Sequence, residues 1–204
     1  QGRAHRLRLP RLRRRVRAPP EADFPLPPTV ADGAKLVSVY SDDRFFEGPA
    51  WDPKSKKLLF TAFGSGKDAT QILRLDGPGK VAVWADKSEG VNGTYLANDG
   101  RLLGAQAIGH RVMSYGIGAD KPSDTQVLLF DNKLNQPNDI AQAPGGNIYF
   151  TDPDFDKREK SAVFLLSIKG DVVKIIHDMP VPNGIIVSND GKMLYVGDSH
   201  LALW

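Results

Sequence analysis

The sequence predicts an all-β fold, a β-propeller built from repeated four-stranded units. Three observations predict it. One short segment recurs four times, as Phe46-Glu47-Gly48-Pro49-Ala50-Trp51, Val91-Asn92-Gly93-Thr94, Pro137-Asn138-Asp139-Ile140 and Pro182-Asn183-Gly184-Ile185. Its polar residues Glu47, Asn92, Asn138 and Asn183 are spaced 45, 46 and 45 residues apart. Each copy leads through a turn into an apolar strand, and no segment shows a convincing helical period. A period in this range marks an array of one supersecondary unit. If the units close around an axis, the four polar side chains face one another.

The elements follow in chain order. Residues 1–20 hold eight arginines and no acid, with few apolar residues and several prolines, which reads as a disordered basic extension. Residues 21–34 read as a proline-rich linker, so residues 1–34 form tail and linker and 35–204 the propeller domain. Lys35–Tyr40 alternates like a strand. The turns expected within the units are Asp52-Pro53, Asn98-Asp99-Gly100, Pro144-Gly145-Gly146 and Asn189-Asp190-Gly191. They lead into Leu58–Phe60, Leu102-Leu103, Ile148–Phe150 and Met193–Val196. Further strands are expected at Gln71–Leu75, Arg111–Tyr115 and Ala162–Leu166. Trp51, Trp84 and the phenylalanines are the core candidates between units. The chain reaches Trp204 within the fourth unit, so it reads as the N-terminal part of a larger propeller. An array left open would expose strand edges.

Composition narrows the function. Hydrophobic residues make up 41% and charged residues 25% of 204, as in globular proteins. No apolar run approaches the ~20 residues of a membrane span. Cysteine is absent, which excludes disulfides and thiolate metal sites but fits a periplasmic, secreted or cytoplasmic location equally. The formal charge of +3 belongs to the tail; the remainder is mildly acidic, a poor nucleic-acid surface but suited to a cation. Gly64-Ser65-Gly66-Lys67 lacks the spacing of a phosphate loop, and no Gly-x-Ser-x-Gly elbow is present. The Asn92-Gly93-Thr94 sequon falls at an expected pocket and reads as chance.

Five motifs, EGPAW at Glu47–Trp51, QPND at Gln136–Asp139, FTDP at Phe150–Pro153, PNG at Pro182–Gly184 and LYVGDS at Leu194–Ser199, resemble the SMP-30/gluconolactonase/LRE-like family in order and spacing. The resemblance implies a six-bladed calcium-dependent lactonase, with this chain covering about four blades. It implies one divalent cation at the top of the central channel, held by Glu47, Asn138 and Asn183. The catalytic general-base Asp is implied in a later Pro-Asp-Gly segment, beyond residue 204. Asn92, in a blade the family does not generally use for the metal, is expected in the pocket wall, contacting substrate, or just behind the metal ligands; Gln136, expected to contact substrate, stands where some relatives carry a basic residue.

Each residue also has a plain structural reading. Glu47 could be a strand-edge acid, and Asn138 and Asn183, preceding Asp or Gly, could simply form turns. Recurrence at a fixed period favours convergence over isolated turns. An oxygen-only set of one carboxylate and neutral amides suits a hard cation, calcium first, with other divalent cations fitting too. Such an ion would polarise a lactone carbonyl while a carboxylate activates water. The competing readings are a non-catalytic binding propeller and a calcium-dependent esterase or phosphotriesterase built on the same cage. Asp152 and Asp198 end equivalent strands and are expected to bind backbone. Asp139 is open between pocket and turn, and His110 could reach the channel mouth.

Overall fold

A computed structural model describes residues 29–64, 70–199 and 202–203. The chain divides into two compact units, Gln1–Val37 and Ser38–Trp204. Of the first, residues 29–37 are described and contain one turn, closed by the Ala34 N–H on the Ala31 carbonyl. The basic stretch 1–20, the linker up to residue 28 and most of Gly64–Lys67 lie outside the described residues.

The second unit is all-β, with no helix among the described residues. Strands β1 (Phe45–Asp52), β2 (Lys57–Phe63), β3 (Thr70–Gly77) and β4 (Lys80–Ala85) form the first antiparallel sheet. The second holds β5 (Val91–Leu96), β6 (Leu102–Gln106), β7 (Arg111–Ile117) and β8 (Pro122–Phe130). The third holds β9 (Ile140–Gln142), β10 (Ile148–Asp152), β11 (Ala162–Leu166) and β12 (Val172–Ile176). The fourth is described over β13 (Pro182–Val187), β14 (Leu194–Asp198) and β15 (Ala202–Leu203). Within each sheet, strands lie side by side in chain order, the up-and-down arrangement of a propeller blade.

The first hairpin of each later blade closes alike. Gly100, Gly146 and Gly191 donate their N–H to the carbonyls of Ala97, Ala143 and Ser188 at 2.9, 2.9 and 2.8 Å. The period-2 alternation of each strand then divides its apolar side chains between two neighbouring blades. Ala50, Leu59, Ile72 and Trp84 of the first sheet pack on Val91, Leu102, Met113 and Tyr115 of the second. Leu103, Ala105 and Val112, on the other face of the second, pack on Ile140, Ile148, Phe150 and Leu166 of the third. Ala141 and Val163 meet Ile185 and Val196 of the fourth.

Two expectations are corrected. Lys35–Tyr40 forms no strand: alternation alone builds none without a ladder partner, and β1 begins only at Phe45. Val39 contributes a single carbonyl to the Gly79 N–H, at 2.7 Å. Trp84 is buried at 2% exposure with its indole N–H on the Gly118 carbonyl, but Trp51 is 54% exposed. Ala50 and Asp52 take the buried side of β1, which turns Trp51 outward. Phe60 and Phe150 are buried, whereas Phe45, Phe130 and Phe155 are exposed.

Candidate metal centre

The innermost strands β1, β5 and β13 each break register beside the recurring polar residue, between Glu47 and Ala50, Val91 and Thr94, and Pro182 and Ile185. Three residue steps on the inner strand oppose two on its neighbour, which is a β-bulge. In the third blade Asn138 and Asp139 precede β9 and bond the two sides of Thr151: the Asn138 N–H reaches its carbonyl at 2.8 Å, and its N–H reaches the Asp139 carbonyl at 3.0 Å. A bulge re-aims side chains that regular pleating would send to alternate faces. The recurring polar residues all sit at this break.

Close approach of the bulges depends on two glycines. A Cβ on Gly48 would lie 2.6 Å from the Thr94 nitrogen and 2.8 Å from the Gly93 Cα. A Cβ on Gly93 would lie 2.6 Å from the Asp139 Cα and 2.8 Å from the Asn138 carbonyl oxygen. Backbone therefore packs on backbone from the first blade to the second and from the second to the third. The Gly93 N–H donates to the Asn138 carbonyl at 2.6 Å, and the Thr94 hydroxyl to the Gly48 carbonyl.

The result is one pocket of about 280 Å³, lined by Glu47, Asn92, Asn138 and Asn183 together with Asp139, Thr94, Tyr95 and the isoleucines at 140, 185 and 186. Asn183 Nδ2 donates to Ser199 Oγ at 2.9 Å, which leaves its Oδ1 as an acceptor. The side-chain amides of Asn92 and Asn138 make no hydrogen bond among the described residues and border the same space. Gln136 is exposed, directs its N–H to Asp152 Oδ1 at 2.8 Å, and is not among the lining residues. His110, in the β6–β7 turn with a left-handed φ of 53°, does not line the pocket either.

Asp139 resolves as both pocket and backbone partner. Its Oδ2 accepts the Ile185 N–H of the fourth blade at 2.9 Å, and Oδ1 accepts its neighbour Ile140 N–H at 2.9 Å. Burial pushes its carboxyl above the usual range, against those two N–H groups. Burial likewise pushes Glu47 up; the Asp139 charge adds to this and the Gly48 N–H opposes it. No Lys, Arg or His lines the pocket among the described residues. Two mutually repelling carboxylates and three amides without a basic partner form a donor set that fits a hard divalent cation. No group of three His, Cys, Asp or Glu gathers among the described residues.

A match across residues 45–204 to the SMP-30/Gluconolactonase/LRE-like region decides the family. The chain belongs to the SMP-30/gluconolactonase/LRE-like family. It is 26% identical over 187 residues to a gluconolactonase of Zymomonas mobilis, a match covering 80% of this chain and 51% of that protein. The chain thus spans about half the length of this curated relative. A gluconolactonase structure from Xanthomonas campestris superposes with a TM-score of 0.68 at 25% identity, over 81% of this chain and 58% of the other. Regucalcin from Agrobacterium tumefaciens, described as a calcium-binding protein, shares the fold at a TM-score of 0.62 and 16% identity, over 76% and 54% of the two chains. The family's fold, implied by the five motifs, is the one seen.

In this family member the segment leading to each recurring asparagine is clasped from the end of the neighbouring strand. Asp152 accepts the N–H groups of Asn135 and Gln136 at 2.9 and 2.8 Å and the Asn135 Nδ2 at 3.1 Å. Asp198 accepts the Val181 N–H at 2.7 Å. Gln106, at the corresponding place in β6, donates to the Ser88 carbonyl at 2.9 Å. Burial pushes the Asp152 carboxyl from 3.8 up to about 6, although these N–H donors and the His110 charge favour ionisation. Its folded value is the raised one, so its stabilising contribution is complete below 3.8 and lost as pH rises through about 6. A loss on the order of 2–3 kcal/mol is expected for this group across that window. Asp152→Asn cannot titrate and gives up an acceptor. Its deficit against the wild type should shrink between pH 4 and pH 7 in urea unfolding; a constant deficit would refute the burial argument.

Proposed function

We propose that the protein opens a sugar lactone or related cyclic ester by hydrolysis, using a hard divalent cation, calcium first, held by Glu47, Asn138 and Asn183. The observation that carries this reading is the convergence of one repeated position from four blades on a pocket with carboxylates, free amide acceptors and, among the described residues, no basic side chain. The 26% identity to a gluconolactonase supports the substrate class. When bound, the cation supplies a Lewis acid for the lactone carbonyl and its developing oxyanion.

The chain's own residues supply the rest. Glu47 brings the compensating charge. The Ser199 hydrogen bond orients the Asn183 amide, and the amide of Asn92 is placed on the wall to bond substrate hydroxyls. Gln136, exposed and outside the pocket lining, is proposed as a further substrate contact. Ile140, Ile185 and Ile186 supply apolar lining. Both Asp139 oxygens hold backbone N–H groups, so Asp139 acts as fixed charge rather than as the base. The base that activates water is proposed in the Pro-Asp-Gly segment beyond residue 204. Water oxygen adds to the carbonyl carbon, the ring C–O bond breaks, and the former ring oxygen leaves as a hydroxyl.

Hydrolysis of glucono-δ-lactone by the chain extended through the proposed Pro-Asp-Gly segment, followed by acid release, tests this. Activity should vanish in EDTA and return with calcium. Undiminished hydrolysis in EDTA, or none with any divalent ion, would reject the reading.

A further inference from the structure

The blades are tied together through the carbonyls of their recurring asparagines. The Asn92 carbonyl accepts the Thr61 hydroxyl at 2.8 Å, the Asn138 carbonyl accepts the Gly93 N–H at 2.6 Å, and the Asn183 carbonyl accepts the Thr151 hydroxyl at 2.8 Å. Each tie comes from the preceding blade. Thr61 and Thr151 hold corresponding positions in β2 and β10, and both are fully buried. In β6 that position is Ala105, and a backbone N–H provides the tie instead.

Around Asn183 the tie is doubled. Ladder register between β13 and β14 is interrupted from Pro182 to Ile185, so Asn183 and Gly184 have no regular pairing within their own sheet. The third blade takes over on both sides of the gap. Thr151 Oγ1 donates to the Asn183 carbonyl, and Asp139 Oδ2 accepts the Ile185 N–H at 2.9 Å. Thr151 Oγ1 also accepts the Asp139 N–H at 3.0 Å. One hydroxyl therefore receives a hydrogen from the Asn138–Asp139 segment and passes its own to Asn183. It sets the distance between two segments whose side chains share the pocket.

The geometry points to Thr151 as a positioning residue: with Asp139 it clamps the Asn183 bulge and so fixes the Asn183 amide relative to Asn138. This rests on the metal-centre reading proposed above. Thr151→Val keeps the volume but leaves the part-buried Asn183 carbonyl and Asp139 N–H without their hydroxyl partner. Thr61→Val removes the same kind of bond at the same depth, yet the tie it removes serves Asn92, which is not assigned to the cation. Were the Thr151 hydroxyl purely structural, the two variants would differ in stability but not in calcium affinity.

Calorimetric titration of the full chain with calcium, beside thermal melts, separates these outcomes. Thr151→Val should weaken calcium binding about tenfold or more, as losses of groups that orient metal ligands do. Thr151→Ser, which keeps the hydroxyl, should bind within about threefold of wild type. Thr61→Val, which loses one hydrogen bond where Thr151→Val loses two, should melt below wild type but hold calcium within about threefold of it. Wild-type affinity in Thr151→Val, equal weakening in Thr61→Val, or no rescue by Ser would each overturn the assignment. Asn183→Ala distinguishes the levels. If it weakens binding while Thr151→Val does not, only the positioning role fails. If wild type shows no calcium heat, or Asn183→Ala binds as wild type does, the metal-centre reading fails and takes the positioning role with it.

Discussion

Glu47→Gln is expected to lower calcium affinity about a hundredfold or more, since carboxylate count is the main determinant of affinity in oxygen-ligand sites. Lactone hydrolysis should fall with it. The substitution preserves shape and keeps an oxygen at the same place, so the loss isolates charge. The calcium-free protein should respond oppositely. Glu47 is repelled by Asp139 across a pocket that no basic side chain lines, and removing one of the two charges relieves that repulsion. Calcium-free Glu47→Gln should therefore melt no lower than calcium-free wild type. At a calcium concentration a hundred times the wild-type dissociation constant, the wild type gains about 2.7 kcal/mol, whereas a hundredfold weaker variant gains only about 0.4 kcal/mol. Melting curves with and without calcium read both effects. A variant that keeps the wild-type calcium shift, or one already destabilised without calcium, contradicts the assigned role of Glu47.

Much of this was legible in the sequence because two patterns coincide. Apolar runs after a turn, such as Leu58–Phe60 or Ile148–Phe150, mark the second strand of a blade, and recurrence of Glu47, Asn92, Asn138 and Asn183 marks the blade itself. The outer strands were harder to read: β8 and β12 are exposed along most of their length and carry no clean alternation. Lys35–Tyr40 misled because alternation reports side-chain facing, and pairing depends on a partner elsewhere in the chain. Four residues at one repeated position were enough to foresee a common pocket, now lined by all four. The bulges that aim them were not foreseeable, since a bulge is a mismatch between two strands and neither strand alone encodes it. Thr61 and Thr151 were missed although Phe60-Thr61 and Phe150-Thr151 repeat in the sequence. A small β-branched residue in a strand reads as ordinary packing until its hydroxyl is found facing another blade.

Gly93→Ala should be among the most destabilising single changes in the chain, costing about 3–5 kcal/mol. The added methyl would meet the Asp139 carboxylate, the Asp139 Cα at 2.6 Å and the Asn138 carbonyl oxygen at 2.8 Å. A flexible side chain could yield, but the last two obstacles belong to backbone held by Thr151, so relief requires moving the third blade away from the second. That motion would also break the 2.6 Å bond from the Gly93 N–H to the Asn138 carbonyl and open the pocket between Asn92 and Asn138. Gly145, in the turn between β9 and β10, supplies the comparison, because its φ is not left-handed and a Cβ there meets nothing within 4 Å. Gly145→Ala should cost less than about 1 kcal/mol. Urea unfolding of both variants checks the contrast. A Gly93→Ala variant within about 1 kcal/mol of wild type would show that the blades can part at small cost.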